Sequence, residues 1–146
     1  MFQRRNAMHA VFRAIPIEIA PLSTLGLPSI VESFAKMHSG LVLVTGPTGS
    51  GKSSSLAWAV DIVNATRDDH IMTVEDPIEF IHHHKRCVVN QREAGEDTLL
   101  SVTALKHVLR QDRDVILVGE MRDLEAIATA ITAAEISHLV FGTLHT

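Results

Sequence analysis

The chain has 146 residues, a length that suits one domain able to bury a core. Its formal net charge of −4 excludes a general electrostatic attraction to nucleic acid or anionic lipid, and its single cysteine excludes an intrachain disulfide and a zinc site of paired cysteines. It has no apolar run of the roughly 18 residues that span a membrane and no convincing secretion signal, so a cytoplasmic protein is predicted.

The first 25 residues differ in pattern from the rest of the chain. Ala10–Ile15 could form a strand, after which Pro16 and Pro21 interrupt regular structure. We interpret residues 1–25 as a linker or the last strand of a preceding unit, and residues 26–146 as the main domain.

In the main domain, apolar residues recur at helical spacing in some segments and form short continuous runs in others. Helices are predicted from Pro28 to Gly40, from Lys52 to Thr66, through Leu99–Leu109, and after Asp123. The last of these is expected to carry one apolar face made of Leu124, Ile127, Ile131 and Ala134. Strands are predicted at Leu41–Val44, Ile71–Val74, Cys87–Val89, Val115–Val118 and Leu139–Phe141.

This alternation of strands and helices indicates the α/β class, with a mainly parallel sheet and helices on both of its faces. In such sheets, ligands bind beyond the carboxyl ends of the strands. The polar clusters of this sequence follow predicted strands, so we expect the functional site at that edge of the sheet.

A glycine-rich segment follows the first of these strands. Gly46–Ser53 fits the pattern G-x-x-x-x-G-K-[ST] without a mismatch. Its glycines allow consecutive backbone N–H groups to face one concavity, and the helix that follows adds its positive end. Lys52 suits the β- and γ-phosphates, and the Ser53 hydroxyl suits Mg²⁺. We expect a nucleoside triphosphate to be bound by Pro47, Thr48, Gly49, Ser50, Gly51, Lys52, Ser53 and Ser54.

Hydrolysis of a bound nucleotide would also need carboxylates to orient water and to hold the hydration shell of the metal. Glu75, Asp76 and Glu79 follow one predicted buried strand, and Glu120 follows Val115–Val118 as the acid of a Walker B element would. Solvated loop acids remain the alternative for each of them.

Two groups of histidines need an interpretation. His82–His84 have no well-spaced partner for a metal, and we interpret them as a solvated loop. His138 and His145 flank the last predicted strand, where a histidine can donate to a phosphate or to a carboxylate. Spacing alone leaves their role open.

The order of these motifs resembles that of the secretion-type ATPases of type II secretion and type IV pili, which share a Walker A, an aspartate box, a Walker B and a histidine box. The matching segments are Gly46–Ser53, Thr73–Phe80, Asp114–Asp123 and His138–Thr146. Asn90–Glu93 and Met121 are most similar to the pilus retraction (twitching motility) branch of that family.

The resemblance implies a RecA-like P-loop NTPase core that binds ATP and Mg²⁺ and hydrolyses ATP to power type IV pilus retraction. It implies a homo-hexamer that acts on the inner-membrane platform protein of the pilus from the cytoplasmic side, without nucleic acid and without a membrane span of its own. Glu79 would be the general base, and Glu120 would act with Mg²⁺ and water beside Ser53.

Four further residues are carried over by the resemblance. His138 and His145 would be histidine-box residues near the phosphates. Arg110 and Arg122 occupy positions where the family has arginines, and they are expected to act at subunit interfaces.

The resemblance also defines what the chain is expected to lack. Residues 1–25 would be the tail of the N-terminal PAS-like domain with a linker, and residues 26–146 would be a RecA-like domain truncated at its C-terminus. Two alternatives therefore stay open: a nucleotide-binding fragment without turnover, and an ATPase of type II secretion or pilus extension. A DNA translocase is disfavoured by the net charge of −4.

Overall fold

The computed structural model describes residues 2–4, 7–9, 14–93 and 114–144. The predicted helix through Leu99–Leu109 lies outside the described residues, as do Arg110 and His145. Most of the predicted first strand also lies outside them, and its last two residues have no regular structure.

The described residues form seven strands and four helices. The strands are β1 (Phe2–Arg4), β2 (Ala7–His9), β3 (Gly40–Thr45), β4 (His70–Glu75), β5 (Val88–Glu93), β6 (Val115–Val118) and β7 (Leu139–Leu144). The helices are α1 (Leu22–Leu25), α2 (Ile30–Ala35), α3 (Lys52–Thr66) and α4 (Leu124–Glu135).

The predicted strands and helices of the main domain are confirmed wherever the structure describes them, with several changed boundaries, among them that of β7, which continues to Leu144. β5 begins one residue later than predicted and continues to Glu93. The predicted helix that begins at Pro28 was expected to end at Gly40. This is wrong, because α2 ends at Ala35 and Gly40 is the first residue of β3. Gly40 has a φ of 133° there, and a Cβ on it would lie 3.0 Å from Cε of Met37.

Five strands form one sheet in the order β3-β7-β6-β4-β5, and every pair in it is parallel. The register pairs Thr45 with Leu144, Val118 with Gly142, and Val74 with Val118. The carboxyl ends of these strands therefore meet at one edge of the sheet. β1 and β2 form a separate antiparallel pair.

Both faces of the sheet are covered, as the pattern predicts. Alternate residues of a strand face opposite sides. Ile71 and Leu117 belong to the apolar cluster under α3, whereas their neighbours Met72 and Ile116 belong to the cluster under α4. The sheet thus lies between two helical layers. In the part of the chain that the structure describes, none of the helices is long and apolar enough to cross a bilayer.

The predicted apolar face of α4 is correct for two of its four residues. Ile127 and Ala134 are partly buried and pack against the apolar cluster under this helix. Leu124 is 85% exposed and Ile131 is 43% exposed. The buried face consists of small residues: Ala126, Thr129, Ala130 and Ala133. Small side chains let the helix backbone lie close to the sheet, and Leu124 and Ile131 lie on the outer side.

The orientation of α4 generates a stability prediction. Ala130 is fully buried, so Ala130→Leu should overpack the contact with the sheet and lower the free energy of unfolding by about 1–3 kcal/mol. The matched change Leu124→Ala, on the exposed side, should alter it by less than about 0.5 kcal/mol. Urea denaturation of both variants measures this, and a larger loss for Leu124→Ala would contradict the orientation.

Candidate functional site

Gly46–Ser53, which connects β3 to the first turn of α3, is called the phosphate loop here, and its tight course is made possible by glycine. Gly46, Gly49 and Gly51 have φ values of 148°, 82° and 88°, a region that other residues rarely adopt. A Cβ on Gly46 would also lie 2.8 Å from Oγ of Ser50. The loop is closed by a hydrogen bond of 3.2 Å from Ser50 N to Pro47 O. The backbone therefore curls in the way that an anion-binding loop requires.

The loop leads directly into the amino end of α3, where two sources of positive potential meet. The ammonium group of Lys52 donates to Gly46 O at 2.7 Å and to Pro47 O at 3.0 Å, so it lies over the loop. The residue that precedes the helix is Gly51, which has no side chain to cap the first N–H groups. The positive end of the helix and the lysine charge thus reinforce each other.

A cavity of about 370 Å³ lies at the carboxyl edge of the sheet and brings the predicted residues together. Leu117, near the carboxyl end of β6, is one of its lining residues. The loop and α3 contribute Thr48, Gly49, Gly51, Lys52, Ser53 and Ser54, and the acids Glu75, Asp76, Glu79 and Glu120 line the other side. Pro47 and Ser50 shape the loop without lining the cavity.

Glu75 is a buried carboxylate within this wall of the cavity. Only 8% of it is exposed, and burial raises the pKa of its side chain. It accepts hydrogen bonds from Gln91 Nε2 at 3.3 Å and from Glu79 N at 3.4 Å. A Cβ on Gly119 would lie 3.2 Å from Cα of Glu75, so glycine allows the ends of β4 and β6 to approach. Glu75 therefore connects the acidic segment to the sheet.

Arg122 joins two acids at the mouth of the cavity. Its Nε lies 2.9 Å from Oε2 of Glu120, and its Nη1 lies 3.6 Å from Oδ2 of Asp76. The Arg122 side chain is 55% exposed, so these ion pairs are screened and contribute little to stability. They orient the Glu120 carboxylate, and the role expected for Arg122 at a subunit interface stays a prediction.

Thr143 is a cavity residue that the sequence reasoning missed. Its hydroxyl donates to Gly119 O, and its carbonyl accepts from Met121 N at 3.0 Å. These bonds tie the end of β7 to the segment that carries Glu120. A single threonine in a buried strand has no pattern that would have identified it.

The structure corrects one histidine prediction. His138 precedes β7, and its carbonyl accepts from Gly40 N at the amino edge of the sheet. The six residues of β7, at about 3.3 Å each, separate it from the phosphate loop by about 20 Å. The expectation that His138 lies near the phosphates is therefore wrong within one chain. The placement of His145 lies outside the described residues.

The interpretation of His82–His84 as a solvated loop is wrong for its first member. His82 is 7% exposed and lines the cavity, whereas the two histidines after it are exposed. Its Nδ1 has no hydrogen-bond partner among the described residues. Burial lowers the pKa of His82; the charge of Asp61 opposes this and that of Lys85 adds to it.

Comparison with known proteins finds a matching family and similar relatives. Residues 12–146 match the family described as "Type II/IV secretion system protein". The chain is 54% identical over 145 residues to the type IV pilus retraction ATPase PilT of Pseudomonas aeruginosa, covering 99% of this chain and 42% of that protein. It is 56% identical over 137 residues to a twitching motility protein of Neisseria gonorrhoeae, covering 94% of this chain and 37% of that protein.

A solved structure of similar fold carries a nucleotide. The crystal structure of the pilus retraction motor PilT with bound ADP superposes with a TM-score of 0.87 at 56% identity, covering 92% of this chain and 39% of that one. The fold is thus the RecA-like fold of these ATPases. This chain spans about two fifths of the length of the curated relatives it matches.

The burial of His82 generates a pH prediction. The unfolded chain takes up a proton on His82 near the ordinary pKa of about 6.5, whereas the folded chain resists it. As the pH falls below that value, the unfolded state binds more protons than the folded state, so the free energy of unfolding decreases.

Urea denaturation at about pH 7.5 and about pH 5.5 measures this decrease. His82→Leu should lose less stability between the two values than the unsubstituted chain. His83→Leu, which changes the exposed neighbour, should keep the original pH dependence. An unchanged pH dependence in His82→Leu would contradict the prediction.

Proposed function

The chain belongs to the type II/IV secretion system protein family, and on that premise we propose that it is the nucleotide-binding part of an ATP-hydrolysing motor for type IV pilus retraction. The observation that carries the proposal is the cavity in which the phosphate loop faces Glu79 and Glu120. The relatives named for pilus retraction and twitching motility support the choice of process.

The phosphates of ATP are bound by the loop Gly46–Ser53. Its curled backbone and the uncapped amino end of α3 supply N–H donors, and Lys52 supplies the formal positive charge. Lys52 already lies over the loop carbonyls, so it can reach phosphate oxygens with a small change of rotamer. The ADP named for the solved PilT structure supports a nucleotide at this place.

Mg²⁺ fits the oxygen donors of the same cavity. The Ser53 hydroxyl and the Glu120 carboxylate both line it. Mg²⁺ keeps several waters and binds mainly through phosphate oxygens with one or two protein ligands, so a hydroxyl and one carboxylate suit it. Bound there, the ion would neutralise charge on the phosphates.

Glu79 is the general base of the proposed reaction. It is an exposed carboxylate on the cavity wall, and its backbone N–H is held by the buried Glu75. It takes the proton of the attacking water, while Glu120 orients that water from the end of β6. Arg122 holds Glu120 through its 2.9 Å ion pair.

We place the active form in a homo-hexamer on the cytoplasmic side of the inner membrane, acting on the platform protein of the pilus. In ring motors of this kind, each site also uses cationic groups from a neighbouring subunit. Arg122 at the mouth of the cavity, and Arg110, are the candidates for that contribution. Hydrolysis would then move one subunit against the next and drive pilin disassembly.

One test of the proposed function is nucleotide binding. Lys52→Ala should weaken ATP binding by roughly 10- to 100-fold, because a charge-assisted bond to phosphate is lost. Lys36→Ala is the matched control, since Lys36 is an exposed lysine paired with Glu32 on α2. Titration calorimetry of the purified chain measures both affinities, and equal affinity in the two variants would refute the site.

Another test of the proposed function is ATP turnover. Glu79→Gln should keep ATP affinity and slow phosphate release by roughly 10²- to 10⁴-fold, because the proton acceptor is removed. Glu32→Gln, on the exposed face of α2, should leave the rate unchanged. Release at the normal rate from Glu79→Gln would exclude its proposed role. Tight ATP binding without release from the unsubstituted chain would favour a nucleotide-binding fragment.

A further inference from the structure

We propose that Gln91 and Glu93, on β5, are positioning residues that hold the general base of the proposed reaction against the phosphate cavity. The segment they hold, Asp76–His82, is called the acidic loop here; it follows β4 and carries Glu79. The proposal rests on the proposed function for the role of Glu79. The contacts themselves do not depend on it.

Gln91 binds the acidic loop through both the nitrogen and the oxygen of its side-chain amide. Its Nε2 donates to Phe80 O at 2.8 Å and to Oε1 of Glu75 at 3.3 Å. Its Oε1 accepts from His82 N at 2.8 Å. One side chain therefore binds the backbone on both sides of Ile81 and the buried carboxylate that holds Glu79 N.

Glu93 provides a second point of attachment on the same strand. Its Oε2 accepts from Ile78 N at 3.2 Å. Residues two apart on a strand face the same side, so Gln91 and Glu93 form one row facing the acidic loop. Arg92, between them, is exposed and belongs to the opposite face.

The two attachments bracket Glu79. Ile78 N is held by Glu93, Glu79 N by Glu75, and Phe80 O by Gln91. The acidic loop is neither helix nor strand, so its backbone groups need partners from outside the loop. β5 supplies partners for Ile78 N, Phe80 O and His82 N, whereas Glu75 on β4 supplies the partner of Glu79 N, and Pro16 O accepts from Ile81 N at 3.4 Å. The backbone that these bonds fix sets the direction of the Glu79 side chain.

The far end of the β4–β5 connection is attached separately. Asn64, fully buried on α3, donates from Nδ2 to His83 O at 2.7 Å and accepts at Oδ1 from Lys85 N at 3.1 Å. Loss of the Gln91 contacts should therefore loosen the acidic loop while the remainder of the connection stays in place. The effect of a Gln91 variant can thus be distinguished from general unfolding.

The test uses matched variants of the same strand. Gln91→Met keeps the length of the side chain and removes its hydrogen bonds. Gln91→Glu keeps an acceptor for His82 N, but it loses the donors and places a second charge beside Glu75. Glu93→Ala removes the acceptor for Ile78 N, and Glu93→Gln restores one. Arg92→Met is the control on the opposite face.

Amide hydrogen exchange at Ile78, Glu79 and His82, ATP affinity and phosphate release are measured for each variant. Gln91→Met should raise exchange at these amides by roughly tenfold, for the loss of one net hydrogen bond, with unchanged ATP affinity. Phosphate release should slow by roughly 10- to 100-fold, as expected for a displaced catalytic group. Gln91→Glu should be at least as severe, and Glu93→Gln should recover most of the effect of Glu93→Ala.

Unchanged exchange in Gln91→Met, or equal effects of Glu93→Gln and Glu93→Ala, would overturn the proposal. So would slowed release in Arg92→Met, since a general disturbance of β5 would then explain the results. Absence of phosphate release from the unsubstituted chain would count against the proposed hydrolysis alone. The positioning contacts would in that case be tested by the amide exchange rates, and by whether Glu93→Gln restores the protection that Glu93→Ala removes.

Discussion

The parallel pairing of the five-stranded sheet is the constraint on which the site depends. Because all its strands run in one direction, the segments that follow β3, β4 and β6 emerge at the same edge. The phosphate loop, the acidic loop and Glu120 are 20 or more residues apart in sequence, yet they line one cavity. An antiparallel strand among them would have sent one of these segments to the opposite edge.

The two sides of the cavity are built in different ways. The phosphate side is made of backbone: glycines with positive φ, helix N–H groups and one lysine. The acidic side is made of side chains. These carboxylates need support, because phosphates bound opposite them would repel them. Glu75 is held by hydrogen bonds and burial, and Glu120 is held by Arg122. Hydrogen bonds with Gln91 and Glu93 on β5 fix the backbone of the acidic loop.

The errors of the sequence interpretation have a common cause. Periodicity identified α4 correctly, but it placed Leu124 and Ile131 on the buried face, which consists instead of small residues such as Ala130. His82 was taken as solvated because the run of three histidines has no well-spaced partner for a metal. His138 was placed near the phosphates by the resemblance to the family's histidine box, although it precedes the amino end of β7. In each case local sequence carried no information on which neighbour lies opposite the residue.

The sequence by itself determined the elements that depend on local chemistry. Glycines with a lysine and a serine at set spacing specify the phosphate loop, and short apolar runs specify buried strands, so β4, β6 and α3 were predicted with nearly correct bounds. Only the tertiary structure decided the burial of His82 and the contact of Thr143 with Gly119. It also decided the hydrogen bonds that Gln91 and Glu93 accept from the acidic loop. These contacts join residues from different strands and loops, and strand order and register fix them, which no local pattern encodes.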